Sequence, residues 1–238
     1  MQQKRLTLKE KLASSGFLMN FSRGTIRSSP YVGVFCTVTE QLALVPHSVV
    51  PKEAKMVENI LNVKVVRANI GNSTLIGVLS KGIKNKFAVS NLIEDTEVRA
   101  LEKEGLEVLK VQGFTSTGNL IALNEKGGIA SPLIADSEIE KMHKFFGIKF
   151  EKMMVAGNDL PGASITVTNK GLICHPNIAE NELLKVQKIL RVNGTPTTAN
   201  YGDLFVGNSV IGNTKGAIAG SNTSGIELSK IDEGLRGE

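Results

Sequence analysis

The sequence predicts a mixed α/β fold of five similar units, each a strand, a strand, a helix and a strand, closed into a ring around a central channel. Five segments share a polar turn, an apolar run and a break, with breaks at Pro46, Asn91, Pro132, Pro176 and Ser221. These positions are 45, 41, 44 and 45 residues apart, which indicates an internal repeat of one supersecondary unit. The hydrophobic fraction of 41% is enough to form a core.

Each unit is predicted to open with a β-hairpin. A short apolar run that begins at a small residue precedes each polar turn, as in YVGVFCTV and LIGVLSKG. The turn Asn169-Lys170-Gly171 carries Asn and Gly where hairpin loops need positive φ. We therefore expect five antiparallel pairs joined by tight turns.

A helix and a third strand are predicted to follow each hairpin. The helix start signals are Pro51, Asp95, Asp136 or Ser137, and Thr223 or Ser224. Gly105, Gly147 and Gly234 stand where helices commonly end. The third strand is read from VKVVRANI, LEVLKVQG and IKFEKMMVA.

Closure of the five units is favoured over an open stack. An open stack needs polar capping repeats, and neither terminal unit is distinctively polar. Each unit would place a small sheet near the axis and its helix outside. We expect a basic, disordered leader over residues 1–18 and one domain over 19–238, with units at about 30–73, 74–115, 116–160, 161–203 and 204–236.

The positive charge is concentrated at the start of the chain. The pI is about 9.1 and the net charge is +5, yet the first 27 residues hold six basic side chains and one acidic one. The remaining 22 basic and 22 acidic residues cancel, so a broad phosphate-binding face is not implied. Aromatic residues make up 5% of the chain, without Trp, which disfavours a protein that stacks on bases. The leader is either a frayed terminus or a minor RNA contact.

The composition also predicts the cellular setting. No apolar run approaches the roughly 20 residues that cross a bilayer, so no membrane partner is expected. The two cysteines, Cys36 and Cys174, do not form the dense pattern of a disulfide scaffold. We therefore expect a soluble protein of the reducing cytoplasm.

Several motifs, in this order, resemble those of the archaeal translation initiation factor 6 family, which has the pentein fold. They are SPYVGVF, RANIGNSTLIG, the TGN of GFTSTGNLIALN, VTNKGLICHP and TTANYGDLFVGNSVIGNTKGAIAGSNTSGIEL. The resemblance runs from about Met19, a conventional start, to the C-terminus. The fold that it implies is a pentein-type α/β propeller, and the absence of a long regulated tail points to an archaeal protein.

The resemblance implies a function of occlusion without chemistry. Such a factor binds the intersubunit side of the large ribosomal subunit, prevents joining of the small subunit, and leaves during late maturation. Its partner is chiefly the large-subunit ribosomal protein uL14 near the sarcin-ricin loop, with at most a minor contact to ribosomal RNA. We expect a monomer with no cofactor.

The docking positions that the resemblance implies are the junctions that enter each first strand. On this sequence they are Tyr31, Gly33, Asn72, Thr74, Leu75, Val78, Thr117, Gly118, Asn119, Ala163, Ser164, Val206, Gly207 and Asn208. Gly33, Gly77, Gly118 and Gly207 recur at similar places in four units, which predicts a flat, uncluttered end of the ring. Turn formation or close packing explains each glycine equally well.

The alternative function is an amidine-modifying hydrolase or transferase with a Cys nucleophile, because other proteins of this fold have that activity. It requires a thiolate beside a base. Cys174 and His175 are adjacent, and neighbours on a strand point to opposite faces, so they are poorly placed as a pair. The fifth unit contains neither Cys nor His. His47 and His175 lack clustered ligands, so no metal site is predicted.

Overall fold

The computed structural model describes residues 19–237, so the predicted leader lies outside the described residues. Within these residues fifteen strands form five three-stranded sheets; four sheets contain three strands consecutive in the chain, and the fifth contains the last two strands and the first. In each sheet the first two strands are antiparallel and the third is parallel to the second. The predicted fold class, a pentein-type α/β propeller of five units, is confirmed.

The strands are short, as the hairpin patterns predict. They are β1 (Asn20–Gly24), β2 (Thr37–Val38), β3 (Leu42–Pro46), β4 (Lys64–Ala68), β5 (Ser80–Ile83), β6 (Lys86–Ser90), β7 (Glu107–Val111), β8 (Ile121–Asn124), β9 (Gly127–Ala130), β10 (Phe150–Lys152), β11 (Ile165–Val167), β12 (Gly171–Cys174), β13 (Asn193–Pro196), β14 (Val210–Gly212) and β15 (Gly216–Gly220).

Five long helices follow the second strands. They are α2 (Pro51–Leu61), α4 (Asp95–Lys103), α5 (Asp136–Phe146), α7 (Glu180–Leu190) and α9 (Gly225–Arg236). The predicted starts at Pro51, Asp95, Asp136 and Ser224 are confirmed, and Gly147 ends α5 with a left-handed φ of 71°.

The predicted helix end at Gly234 is wrong. Gly234 lies inside α9, which ends at Arg236 and is capped by Gly237. A β-carbon at Gly234 would lie 2.7 Å from Cγ2 of Ile173, so the glycine lets the helix approach its sheet.

The junctions before the first strands are short helices in four units, which corrects the expectation that these runs begin as strands. They are α1 (Val32–Phe35), α3 (Ile76–Leu79), α6 (Pro161–Ser164) and α8 (Val206–Ser209). In the third unit a turn over residues 117–120 takes their place. The apolar β-branched runs favour strands locally, but close contact between units at this point imposes a helical turn.

The strand β1 closes the ring. It pairs with β15 in parallel, from Asn20 opposite Gly216 to Gly24 opposite Gly220. The fifth unit therefore takes its third strand from the other end of the described chain. The sequence pattern assigned these residues to no unit, and it counted Arg23 and Arg27 with the charges outside the repeats. Both belong to the ring, because Arg23 lies in β1 and Arg27 in the loop after it.

The hairpin turns are stabilised by side chains, and the positive φ predicted for Asn169-Lys170-Gly171 is wrong. The Thr168 hydroxyl accepts hydrogen bonds from the N–H groups of Lys170 and Gly171 at 3.0 and 3.1 Å. Asn124 and Asn213 accept equivalent bonds through their amide oxygens in the third and fifth units. A side-chain acceptor thus replaces the left-handed backbone.

The core consists of five clusters, and each lies between neighbouring sheets. One cluster joins Leu44 of β3 to Phe87 of β6 and Leu101 of α4, for example. The corresponding cluster at the closing junction joins Val45 and Val57 to Ile218 of β15. Because every cluster draws side chains from two sheets, no unit can bury its apolar surface alone.

Five glycines set the distance between the units near the axis: Gly33, Gly77, Gly118, Gly162 and Gly207. A β-carbon on each would collide with the carbonyl oxygen of the glycine in the preceding unit, and Gly33 meets Gly207 in the same way. Four of the five were recognised as a repeat in the sequence, where they predict a flat surface. The structure shows them buried, so the close-packing explanation holds.

We predict that Gly118→Ala lowers the free energy of unfolding by about 2 kcal/mol or more, because the added methyl must displace the backbone at Gly77. Urea unfolding measures this. Gly225→Ala is the matched control, since its β-carbon would meet nothing within 4 Å and should change stability by less than about 0.5 kcal/mol. Equal stability of the two variants would show that the glycine ring does not hold the units in register.

Candidate docking face

The ring has two unlike ends. At the hairpin end lie the turns that join first to second strands, together with the carboxyl termini of the long helices. At the loop end lie the carboxyl ends of the second and third strands, the short helices, and the amino termini of the long helices. This follows because the second and third strands of each sheet run in the same direction.

Apolar exposure is concentrated at the loop end. Of the eleven large apolar side chains exposed within residues 19–237, ten lie there and only Leu184, on α7, does not. The ten are Tyr31, Val50, Leu75, Leu92, Phe114, Leu133, Met154, Tyr201, Leu204 and Ile226. Apolar side chains gathered at one end of a protein mark an interaction surface more often than scattered ones do.

Five glutamates, three of them buried and two half-buried, hold the loops of this end in place. The third residue of every long helix is a glutamate: Glu53, Glu97, Glu138, Glu182 and Glu227. Each carboxylate accepts a hydrogen bond from at least one backbone N–H in the loop that follows the third strand of the preceding sheet. These bonds, at 2.7–3.0 Å, join each helix to its neighbour's loop. A carboxylate there also interacts favourably with the helix dipole.

Four of these loops carry consecutive left-handed residues at their tips. In the first loop Arg27 and Ser28 have φ of 55° and 59°, and in the next Gly71 and Asn72 have 58° and 59°. Left-handed backbone costs about 1–2 kcal/mol for a residue with a side chain. Glu53 offsets this cost by accepting the N–H groups of Arg27 and Ser28 at 2.8 and 3.1 Å.

The fifth of these loops presents Tyr201, which is 85% exposed, the highest value among the exposed large apolar residues. Tyr201 has φ of 65°, and its N–H donates to Glu227 at 3.2 Å while that of Gly202 donates at 2.9 Å. Burial raises the pKa of Glu227, but hydrogen bonds from Ser224, Thr198 and Gly202 outweigh burial and lower it to about 2. The charged carboxylate thus supports an exposed aromatic side chain.

The predicted docking residues divide into two groups of seven. Seven have accessible surface at the loop end: Tyr31, Asn72, Thr74, Leu75, Val78, Asn119 and Asn208. The other seven are buried, most of them in the contacts between units: Gly33, Thr117, Gly118, Ala163, Ser164, Val206 and Gly207. Their position is therefore beneath the face, where they can support a partner contact but not make one.

Sequence reasoning missed the tips of the loops, above all Arg27, Phe114, Met154 and Tyr201. The Arg27 guanidinium donates to the Thr74 hydroxyl at 2.6 Å and lies 5.5 Å from the centre of the Phe35 ring. The only local signal for these tips was an apolar or basic residue within a turn rich in Gly, Asn and Ser. That signal is weak, because the left-handed conformation depends on a glutamate about 25 residues away.

Neither cysteine has the surroundings of a nucleophile. Burial raises the pKa of both thiols to about 12. Cys174 lies in the core cluster with Val186 and Leu190, whereas the ring of His175 packs edge-on against Phe205 at 5.7 Å. The cysteine that lines the channel is Cys36, which the sequence analysis did not single out. A thiol that burial keeps protonated is a poor nucleophile, and for Cys36 burial outweighs the nearby charge of Lys81.

His175 has a structural role. Its Nδ1 accepts a hydrogen bond from the N–H of Asn177 at 3.2 Å, as the hydroxyls of Ser90 and Ser131 do from Leu92 and Leu133. Burial lowers the pKa of His175, against the opposing charges of Glu182 and Asp203. The lowered pKa favours the neutral ring that this bond requires.

Comparison with known proteins adds the lineage of the chain. A model of the eIF-6 family matches residues 21–234, which include the five sheets. The chain belongs to the eIF-6 family. It is 37% identical to translation initiation factor 6 of Methanocella arvoryzae over 87% of this chain and 93% of that protein. It is 32% identical to the same factor of Pyrococcus abyssi, over 91% and 99%.

Two further matches are another archaeal relative and a solved structure of weak similarity. Translation initiation factor 6 of Methanococcoides burtonii is 37% identical over 88% of this chain and 96% of that protein, and these relatives bear out the expected archaeal origin. A C. jejuni agmatine deiminase is similar in structure, with a TM-score of 0.39, 13% identity, and coverage of 52% of this chain and 50% of that one.

Among residues 19–237, no helix is long and apolar enough to cross a bilayer. The same residues contain no group of three or more His, Cys, Asp or Glu side chains placed to hold a metal.

We predict that Glu227→Gln lowers the free energy of unfolding at pH 7 by about 1–3 kcal/mol, because a charged acceptor of several hydrogen bonds is lost. The folded pKa, about 2, is below the usual 4.5, so the stabilisation is present above pH 4.5 and disappears as the pH falls toward 2. Denaturant unfolding at several pH values measures both.

Glu180→Gln is the control, since Glu180 is an exposed acidic residue in the first turn of α7. It should lower stability by less than about 0.5 kcal/mol. If the loss in Glu227→Gln were the same at pH 2 as at pH 7, the ionised carboxylate would not be what holds the Tyr201 loop.

Proposed function

We propose that this protein binds the large ribosomal subunit through its loop end and thereby prevents the small subunit from joining. The observation that carries the proposal is the placement of ten of eleven exposed large apolar side chains at that one end. A face of this kind suits a large, preformed protein surface, because its loops are already fixed by the five glutamates. Family membership supports the ribosomal setting, since the relatives are named translation initiation factor 6.

The chief contact within the subunit is proposed to be the ribosomal protein uL14, near the sarcin-ricin loop. The accessible part of the predicted site, which includes Tyr31, Leu75, Asn119 and Asn208, would lie at the centre of the contact. Tyr201 and Arg27 would extend it at the rim. Apolar and aromatic anchors are typical of protein contacts, while phosphate contacts need clustered cations. We therefore assign ribosomal RNA a minor part.

The protein is proposed to act in the cytoplasm as a monomer, by occlusion and without catalysis. It would occupy the intersubunit side of the large subunit and leave during late maturation. The buried, protonated thiols of Cys36 and Cys174 support a non-enzymatic function over an amidine-modifying one.

Co-sedimentation with purified archaeal subunits tests the proposal. We expect the protein to sediment with the large subunit, not with the small one, and to reduce the yield of joined ribosomes when both are mixed. Binding should weaken only slightly between low and moderate salt, because few phosphate contacts are made. Equal recovery with both subunits, or with neither, would reject the proposal.

Asn119→Arg tests which end of the ring binds. Asn119 is half-buried at the loop end, and a large charged side chain there should raise the dissociation constant about tenfold or more, which corresponds to about 1.4 kcal/mol. Gln41→Arg makes the same charge change at an exposed hairpin turn and should leave binding unchanged. If binding weakened in Gln41→Arg and stayed unchanged in Asn119→Arg, the hairpin end and not the loop end would be the docking face.

A further inference from the structure

The innermost strands of the ring leave one edge unpaired. The strands β2, β5, β8, β11 and β14 each pair with a second strand on one side, and within residues 19–237 none pairs with another first strand. In an antiparallel pair, successive residues direct their peptide groups alternately toward the partner and away from it. The unpaired edges of these five strands therefore face the channel.

The pairing pattern identifies which peptide groups point inward. The N–H groups of Thr39, Thr168 and Asn213 donate to their hairpin partners at 2.9 Å. The peptide groups of the residue before each therefore point away from the hairpin partner and toward the channel. The register of the other two hairpins places Gly82 and Leu123 in the same way. The inward set is Val38, Gly82, Leu123, Val167 and Gly212, and all five line both the inner cavity and its mouth at the hairpin end.

A lysine lies beside this ring of peptide groups. Lys81 of β5 lines the inner cavity, which has a volume of about 50 Å³. No Asp or Glu lines that cavity, and the Lys81 ammonium has no ion pair or hydrogen bond with any residue between 19 and 237. At the equivalent position, the hydroxyls of Thr37 and Thr166 donate to Ser80 and Val210 carbonyls of the next unit, at 3.0 and 3.1 Å.

The lysine places a positive charge in the inner cavity, whose lining contains no carboxylate. Burial lowers the pKa of Lys81 to about 8, with a smaller opposing effect of the Cys36 thiol. At neutral pH the amine is thus mainly protonated, although a partly buried charge without a partner is costly. Water can donate hydrogen bonds to the inward carbonyl groups, whereas the ammonium and the inward N–H groups together favour a negative ligand.

We propose that the channel binds a small inorganic anion, such as chloride, between the Lys81 ammonium and the inward N–H groups of the first strands. The anion enters from the hairpin end, where the charged groups are Glu40, Lys84 and Glu125. Lys84 lies 3.6 Å from Glu125, and Glu40 accepts hydrogen bonds from Thr214, so each carboxylate at the mouth has a partner there or beside it. This site is independent of docking at the loop end.

Crystals soaked in sodium bromide test the site, because bromide is a heavier halide that anomalous scattering locates. We expect a bromide peak in the channel beside Lys81 in the wild type, none in Lys81→Met, and an undiminished peak in Lys149→Met, whose lysine is 77% exposed. A channel peak of equal height in Lys81→Met would overturn the proposal. Peaks confined to the outer surface would indicate an adventitious ion only, and would overturn it as well.

An NMR titration of the wild type with bromide keeps the test decisive if Lys81→Met does not fold. The amide signals of Gly82 and Gly212 should shift and saturate, with potassium gluconate holding the ionic strength constant. In a folded Lys81→Met, the apparent dissociation constant should rise about tenfold or more. Shifts that do not saturate in the wild type would contradict the proposal.

Discussion

The contact between five glycines around the axis determines how closely the units approach one another. Each glycine packs against the carbonyl oxygen of the one before it, and Gly33 meets Gly207 to complete the circle. Because the units touch through backbone, neither side-chain rotation nor small changes of volume can relax the contact. The five core clusters, the channel width and the position of every loop at the loop end depend on this spacing, since each cluster lies between two sheets.

A second set of contacts, from the glutamates at the third position of the long helices, converts the ring into a shaped surface. Glu53 and Glu227 hold residues such as Arg27 and Tyr201 in left-handed backbone that costs free energy. The loops at these two positions are therefore set before any partner arrives, which reduces the ordering cost of binding. The same carboxylates join each helix to the neighbouring loop, so stability and the candidate docking face share one set of interactions.

The sequence was sufficient to predict the number of units, the strand order within them, most helix starts and the closed ring, because each of these depends on short-range patterns that recur five times. The closing strand β1 was missed, since Asn20–Gly24 is short, half polar and has no preceding helix to reveal its place. The helical turns at Val32–Phe35 and its equivalents were read as strands because their apolar residues favour strands locally. Long-range contacts of Gly33 and Gly207 decide the outcome there.

The candidate site was predicted only in part for the same reason. Tyr31, Leu75 and Asn119 lie at the face as expected, whereas Gly118 and Val206 lie beneath it, because a linear pattern does not distinguish a residue that supports a surface from one that forms it. The exposure of Tyr201 depends on Glu227, and the charge of the channel on Lys81, and neither has a local signature.

A cryo-EM map of this protein bound to isolated archaeal large subunits would show whether the loop end is the docking face. We expect density for the subunit against the short helices and the loop tips at Arg27, Asn72 and Tyr201, with the hairpin turns directed toward solvent. A map in which the hairpin end or the outer helices contact the subunit, and the loop end is free, would contradict this expectation.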